Sequence, residues 1–220
     1  MKGLIYLLVI TIFLSCNNER VLELPEIENA EITEVLDVSP AYIFYDETQP
    51  DSTLFNRKNL IGTTNWLVNV DKRLTLRQAI PHIQYLQDKR KKASMHKNEA
   101  AKNYFTCNDT SIKNLGFLDF TDITYLNSDD SINNNDEELC HLIVFNMSDI
   151  QIISMNNIIH EATDETLIDV IDNAFKNDDG LKVLLLTFSE DLSFQNYIRL
   201  KSLLLPFKKN TSNYEFIFQP

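Results

Sequence analysis

The pattern of hydrophobic positions is clearest after residue 140, where short apolar runs alternate with segments that are apolar on one side only. The runs have strand length and end at turn-forming residues; they are residues 142–145, 150–155, 181–188 and 214–218. Residues 163–175 and 193–205 place their apolar residues on one helical face, with Thr163 and Ser193 as N-caps and Gly180 and Pro206 as stops. The order predicts a β-β-α-β-α-β sandwich with helices on one side of a sheet, an α/β fold of the α+β type.

The preceding part of the chain repeats some of this pattern. Residues 66–78 align without a gap with residues 184–196, and in both a strand leads through a charged turn to a leucine and a helix. Val68, Val70, Leu186 and Phe188 are then strand residues, and Thr75 and Ser193 are helix N-caps. The helix after Thr75 includes Pro81 as a kink or a late start, and after an inserted helical stretch around 97–104, residues 115–120 predict the equivalent of the terminal strand. We predict a partial internal duplication, with chance similarity between two strand-turn-helix units as the alternative.

Residues 127–138 are polar, acidic and rich in asparagine, and they supply too little apolar surface to form a core. We predict a flexible linker here. The predicted organisation is a tether at 16–40, an N-terminal α/β module at 41–126 and a C-terminal module at 139–220. Few core contacts are expected between the two modules.

The N-terminus has the layout of a secretory signal peptide. Lys2 supplies a positive charge, residues 4–14 are apolar apart from Thr11, and the polar stretch begins after Cys16. Residues 13–16 resemble the lipobox of bacterial lipoproteins, with Phe13 at a position where leucine is usual. The resemblance implies cleavage after residue 15 and lipid attachment at Cys16; the alternative is an incidental cysteine in an ordinary secretory signal. Because Asn17 and not aspartate follows, sorting by analogy favours the outer membrane, facing the periplasm, over the inner membrane.

The remaining cysteines are Cys107 and Cys140. In an oxidising compartment they could form a disulfide, and two buried thiols are an equal alternative. The sequence shows no Cys-x-x-Cys pair and no His/Cys cluster at zinc-site spacing, so no metal site is predicted.

The formal net charge of -12 excludes nucleic acid as an expected partner, because an acidic surface repels phosphate. Residues 89–92, followed by Lys97 and Lys102, are a local basic run. A solvated helix end explains this run, because cations there offset the helix dipole; a binding patch is the other interpretation.

No catalytic constellation is recognisable. The four histidines are His82, His96, His141 and His160, and none has a neighbour at metal-ligand spacing. Asp71 and Asp191 are candidates for a catalytic pair, but each also fits ordinary turn chemistry. We therefore predict neither catalytic residues nor a cofactor.

The C-terminal module resembles the periplasmic domain of ExbD/TolR-type proteins, which energise outer-membrane processes beside a proton-conducting partner. The resemblance covers residues 142–218, including Asn156, Asn157 and the strand-to-helix passage 188–194; in the first module, residues 70–72 match the family's strand-end Asp-Lys. Members of that family carry a transmembrane helix with a proton-carrying aspartate, whereas residues 4–14 contain no acid. No family functional residue can therefore be transferred.

These observations lead to a functional hypothesis. We expect a membrane-anchored envelope lipoprotein that acts as a non-catalytic protein-interaction module, accessory to an ExbD/TolR-type system. Its expected partner is another envelope protein or a second copy. The alternative functions are small-ligand binding and hydrolysis in the envelope.

Overall fold

The computed structural model describes residues 20–92, 98–127, 130, 139–154, 157–177 and 183–220. The signal segment 1–15, Cys16, His96, Gly180 and most of the predicted linker lie outside the described residues. The helices are α1 (Leu76–Lys92), α2 (Leu167–Asn177) and α3 (Phe194–Leu203), and a 3-10 helix (Leu205–Asn210) follows α3.

The described strands form two six-stranded sheets. In the first half they are β1 (Glu26–Ile27), β2 (Val38–Tyr45), β3 (Thr53–Asn56), β4 (Asn65–Val70), β5 (Asn103–Asp109), β6 (Asn114–Asp119) and β7 (Thr124–Asn127). In the second half they are β8 (Leu139–Asn146), β9 (Asp149–Ile153), β10 (Ile159–Ala162), β11 (Val183–Ser189) and β12 (Thr211–Phe218).

The first sheet has the order β1-β5-β4-β2-β3, with β6 paired to β5, and the second has the order β10-β9-β8-β11-β12-β7. The predicted α/β class is confirmed, and the predicted β-β-α-β-α-β order corresponds to β8, β9, α2, β11, α3 and β12. Strand β10 was not predicted. Strand β7, which precedes the linker in the chain, pairs with β12 and so belongs to the second sheet.

The two sheets repeat one arrangement around their central strands. In the first half the central strand is β4, which leads into α1 and pairs in parallel with β2 and β5. In the second half the central strand is β11, which leads into α3 and pairs in parallel with β8 and β12. Ala41 pairs with Val68, and Leu142 pairs in the same way with Leu186; Val68 and Leu186 occupy aligned positions in the sequence repeat. The predicted strand residues Val68, Val70, Leu186 and Phe188 lie in β4 and β11, and Thr75 and Ser193 directly precede α1 and α3, as predicted. The predicted N-cap at Thr163 is wrong, because α2 begins at Leu167.

One part of the predicted repeat is wrong. The strand equivalent to β12 is β5, at residues 103–109, because it pairs in parallel with β4. It was predicted at residues 115–120. The helical stretch predicted around 97–104 overlaps the start of β5 and is therefore also wrong. Residues 114–119 form β6, which returns antiparallel to β5 through a tight turn where Lys113 has a φ of 52°. The aromatic residues at the start of β5 favour a strand more strongly than a helix, and pairing with β4 decides its conformation.

The aligned turns of the two halves contact each other reciprocally. The Leu76 N–H donates to the Leu192 carbonyl at 2.9 Å, and the Phe194 N–H donates to the Leu74 carbonyl at 2.7 Å. In the sequence repeat Leu74 matches Leu192 and Leu76 matches Phe194, so each half donates to the other at the same position. A second reciprocal pair joins Arg77 N–H to Glu190 O and Gln195 N–H to Lys72 O. An approximate two-fold axis therefore runs between Thr75 and Ser193, which form a bridge pair.

The two halves share one hydrophobic core, and the expectation of few contacts between them is wrong. A single cluster of buried residues contains members of both sheets and of α1, α2 and α3, the helices that the structure describes. The Phe105 ring of β5 lies against Phe194 and Tyr197 of α3, with ring centroids 5.2 and 6.3 Å apart. Gln87 of α1 also donates to the Ile123 carbonyl, just before β7. The helices therefore pack between the inner faces of the two sheets.

The described part of the predicted tether packs on the first sheet. Strand β1 pairs with β5, and the Ala30 N–H donates to the buried Asp109 carboxylate at 2.7 Å. Ile32 forms a bridge with Phe117 of β6. Gly116 allows this close approach, because a Cβ there would lie 2.5 Å from the Ala30 Cβ. The boundaries of the modules stay a prediction, and in this structure the first sheet draws on residues from Glu26 onward.

Candidate functional site

The second sheet has one face in the core and one face outside it. Leu142 and Val144 of β8 are buried in the shared core, so the intervening Ile143 points to the other side, because side chains alternate along a strand. Residues paired across neighbouring strands share a face, and Ile143 pairs with Gln151 on one side and Thr187 on the other. We call this the outer face; its members are Thr124, Leu126, Leu139, His141, Ile143, Phe145, Asp149, Gln151, Ile153, Ile159, Glu161, Val183, Leu185, Thr187, Ser189, Tyr214, Phe216 and Phe218.

The outer face is largely apolar, and most of its residues are partly exposed, whereas Leu139 and Leu185 are buried. Ile143, Phe145, Ile153, Phe216 and Phe218 are all partly exposed, although they are hydrophobic. The Phe145 and Phe218 rings meet edge to face, with centroids 5.3 Å apart. At the end of the sheet, Ile159 of β10 is 58% exposed. A contiguous exposed apolar patch of this kind is typical of an interaction site.

Among the residues of the outer face that the structure describes, the acidic side chains lie at one border. Asp149 begins β9, and Glu161 lies on β10, which is an edge strand of the sheet. The polar residues on the central strands include the Thr187 hydroxyl and the His141 imidazole. A face without central charges contrasts with a chain in which 24% of the residues are charged.

The first sheet also has an outer side, but this is more polar. Tyr42 and Phe44 of β2 stack there with centroids 5.7 Å apart. Asn69 replaces Thr187 at the matching position of β4, and its side-chain amide is already used by the Ala41 and Leu67 carbonyls. The second sheet is therefore the stronger candidate for an interaction surface.

A buried polar network lies on the inner face of the second sheet. The Glu215 carboxylate is fully buried, accepts a hydrogen bond from the Tyr197 hydroxyl at 2.8 Å, and pairs with the Lys201 ammonium. The Tyr125 hydroxyl lies 3.0 Å from that of Tyr197. Burial, together with the nearby Glu215 charge, holds the pKa of both tyrosines well above the ordinary value. The network joins α3, β12 and β7, and every group in it has a protein partner, which indicates a structural role.

Lys201 also reaches a small cleft between the two halves. The cleft has a volume of about 90 Å³, with Phe117 and Ile123 on one side and Lys201, Leu204 and Thr211 on the other. A drug-sized ligand usually needs about 300 Å³ or more, so this cavity admits only a few atoms.

A larger groove of about 610 Å³ lies between the segment around β1 and helix α3. The Gln195 and Arg199 side chains that line it are occupied by protein groups. The Gln195 side-chain amide accepts from the Glu26 N–H and donates to the Glu26 carbonyl, and Arg199 pairs with Asp164 at 2.6 Å. The groove therefore presents few unused polar groups to a ligand.

The carboxylates considered as a catalytic pair have separate structural partners. Asp71 is buried and accepts hydrogen bonds from the Arg73 guanidinium and from the N–H groups of Glu23 and Arg73. Burial raises the pKa of Asp71, but these hydrogen bonds outweigh burial and leave the pKa below its ordinary value. Asp191 is exposed and pairs with Arg77. Both aspartates therefore have the roles of ordinary turn residues, which was the alternative interpretation of the sequence.

His82 has a hydroxyl neighbour, but the pair lacks the order of a catalytic triad. Its Nε2 lies 3.3 Å from Thr53 Oγ1, and that hydroxyl donates its proton to Asp51 at 2.6 Å. His82 must then donate to Thr53, so it cannot act as the base for this hydroxyl. Burial lowers the pKa of His82. Its ring packs against Phe55 with centroids 4.7 Å apart, which is a packing role.

The cysteines and the basic run lie in structural settings. Cys107 is a free, fully buried thiol in β5, and burial raises its pKa; Cys140 is buried in β8 of the other sheet.

The basic residues 89–92 form the last turn of α1, where Arg90 turns inward and its guanidinium lies 4.0 Å from the Trp66 ring centroid. Burial lowers the pKa of Arg90 to about 10. Across the described ranges, no three His, Cys, Asp or Glu side chains gather in a way that could hold a metal ion.

Sequence reasoning did not identify the outer face or the Glu215 network. The alternation within β12 carried the signal, because Tyr214, Phe216 and Phe218 fall on one side of the strand and Glu215 on the other. Four residues of this strand are aromatic or charged, and the alternation alone does not say which side of the strand faces the core. The neighbouring strands and the position of α3 decide it.

Among the described residues, no helix is both long and apolar enough to cross a membrane. No protein-family model matches the chain, and neither a curated protein nor a solved structure matches it.

Proposed function

We propose that this protein is a membrane-anchored envelope lipoprotein that acts as a non-catalytic protein-interaction module, with the outer face of the second sheet as its binding surface. The observation that carries the proposal is the apolar, centrally uncharged outer face described above. Aromatic and aliphatic residues in the centre with charges at the border are the composition of protein interface cores. The shared core fixes the sheet rigidly behind this surface, so a partner can bind without ordering it first.

The face is tested by cross-linking in intact cells, followed by identification of the cross-linked species by mass spectrometry. The wild-type chain should give a defined heavier species, and Phe216→Glu should abolish it by placing a charge in the apolar centre. Ile112→Glu is the matched control, because Ile112 is 48% exposed in the β5–β6 turn of the other sheet. Equal cross-linking of Phe216→Glu and wild type, with both chains folded, would contradict the proposal.

Lipid attachment at Cys16 is the proposed means of anchoring, supported by the apolar segment 4–14 and the lipobox resemblance of residues 13–16. Cys16→Ser should move the protein out of the membrane fraction. Density separation of the membranes should place the wild-type chain with the outer membrane, as Asn17 favours. Persistent membrane association of Cys16→Ser would refute this anchor and leave the interaction face untouched.

The finer proposal is an accessory role beside an ExbD/TolR-type energy-transducing system. It is supported by the element order of β8, β9, α2, β11, α3 and β12. If it is correct, the cross-linked species should contain a component of such a system, and its yield should fall when the proton gradient is dissipated. A partner unrelated to such a system, with a yield that does not depend on the gradient, would remove this role and keep the interaction module.

A further inference from the structure

We propose that the occupant of the outer face is the same face of a second copy of this chain, paired around a two-fold axis. This inference rests on the proposed function, because it identifies the partner of the same surface. It is argued from the charge, the hydrogen-bonding groups and the area of that surface.

The distribution of charge favours self-association at this face over other parts of the surface. With a net charge of -12, two copies repel each other wherever their acidic surfaces meet. In a two-fold interface a residue near the axis meets its own copy, so any charge there meets a like charge. Thr187 and Ile143 on the central strands avoid this repulsion, and the acidic Asp149 and Glu161 lie toward the β9–β10 border.

The polar groups of the outer face are suited to meeting copies of themselves. The Thr187 hydroxyl and the Gln151 amide each contain both a donor and an acceptor. Such a group can bond to an identical group across the axis, whereas a carboxylate or an ammonium cannot. A foreign partner would more commonly be selected by charges of one sign, which the centre of this face lacks.

The size of the face fits a weak dimer. Six strands spaced about 4.8 Å apart, with about five residues of about 3.3 Å each, give roughly 480 Å² per copy and roughly 960 Å² for a pair. Specific interfaces begin near about 1,000 Å² of total buried surface, so association in the micromolar range is expected. Two sheet faces pack about 10 Å apart with their strands within about 30° of each other, which places β8 and β11 at the centre.

The test uses two full-length copies with different C-terminal tags, expressed together and captured through one tag. Wild-type copies should be captured together, and Ile143→Glu in both should reduce capture at least tenfold, because two like charges meet near the axis. Combining Ile143→Glu in one copy with Ile143→Lys in the other should restore capture, since the charges are then opposite. Ile112→Glu in both copies is the control and should behave as wild type, and urea unfolding verifies that each variant is folded.

Ile143→Thr is the second variant, because it keeps a β-branched residue in β8 and should only weaken capture. The inference is overturned if wild-type copies are not captured together, or if Ile143→Glu and Ile112→Glu have the same effect. It is also overturned if the Glu and Lys copies fail to associate although both are folded. If copies do not associate but the cross-linked species in cells is lost in Phe216→Glu, the interaction function stands and the second copy is not its partner.

Discussion

The Tyr197 hydroxyl should contribute more to stability than the Tyr125 hydroxyl, although the two are in contact. Tyr197 has one proton, and it donates this proton to the Glu215 carboxylate at 2.8 Å. The bond between the two tyrosines, 3.0 Å long, must therefore be donated by Tyr125. Tyr197 thus makes one hydrogen bond to a charged group and one to a neutral group, whereas Tyr125 makes only the neutral one.

The structure sets the size of the two effects. Tyr197→Phe removes a hydrogen bond to a buried carboxylate, a change that costs roughly 1.5–3 kcal/mol of unfolding free energy, and also leaves the Tyr125 donor without its acceptor. Tyr125→Phe removes a neutral hydrogen bond worth roughly 0.5–1.5 kcal/mol and keeps the bond to Glu215. Lys201 remains paired with Glu215 in both variants and limits the larger loss.

Urea unfolding of the two variants and the double variant gives the measurement. Tyr197→Phe should lower the unfolding free energy by at least about 1 kcal/mol more than Tyr125→Phe, with unchanged slope against urea. The double variant should lose less than the sum of the single losses, because the two share one bond. Equal losses in the two single variants, or strict additivity, would refute the assignment of donors and the structural role of the network.

Three further predictions concern other parts of the fold. Gly116→Ala should cost about 1–3 kcal/mol because its Cβ would collide with Ala30, whereas Gly62→Ala, with open space around it, is the control and should be neutral in the same urea assay. The pKa of Asp71 is lowered in the folded state, so its contribution to stability is present above the ordinary value of 3.8 and lost as the pH falls through the lower folded pKa; Asp71→Asn should flatten the pH dependence of thermal unfolding there, and an unchanged acid dependence would contradict this. Limited proteolysis should cut first within residues 127–138, and the two fragments should then co-elute without a disulfide because the core is shared; separation of the fragments under native conditions would show that the shared core does not hold them together.

Local sequence signals predicted the repeated unit correctly because that unit is defined by short-range chemistry. A hydroxyl before an apolar helix and a charged turn after a strand are recognisable within about a dozen residues. Ser193 accepts from the Asn196 N–H, and the Gln78 side chain accepts from the Thr75 N–H, so both caps are formed locally. The element order of the second half was predictable for the same reason.

Long-range pairing was not predictable from the same signals. Strand β7 is adjacent to the first half in the chain, yet the pairing of Phe216 with Leu126 places it in the second sheet. The position of the segment before β2 depends on Asp109 and on the space left by Gly116, both of which are distant in the sequence. Whether Glu215 or Phe216 faces the core likewise depends on neighbours far away in the chain, such as Tyr197 and Tyr125.

The contact between the two turns is reciprocal, so the two halves can pack together in the same way whichever half comes first in the chain. Glu23, near the start of the described residues, and Phe218 both approach this contact, because the Lys72 N–H donates to the Glu23 carbonyl and the Glu190 N–H donates to the Phe218 carbonyl. The chain could therefore be opened within residues 127–138, and a short peptide could join Phe218 to Glu23, while the described core residues keep their contacts. Such a circular permutant would present the second half first.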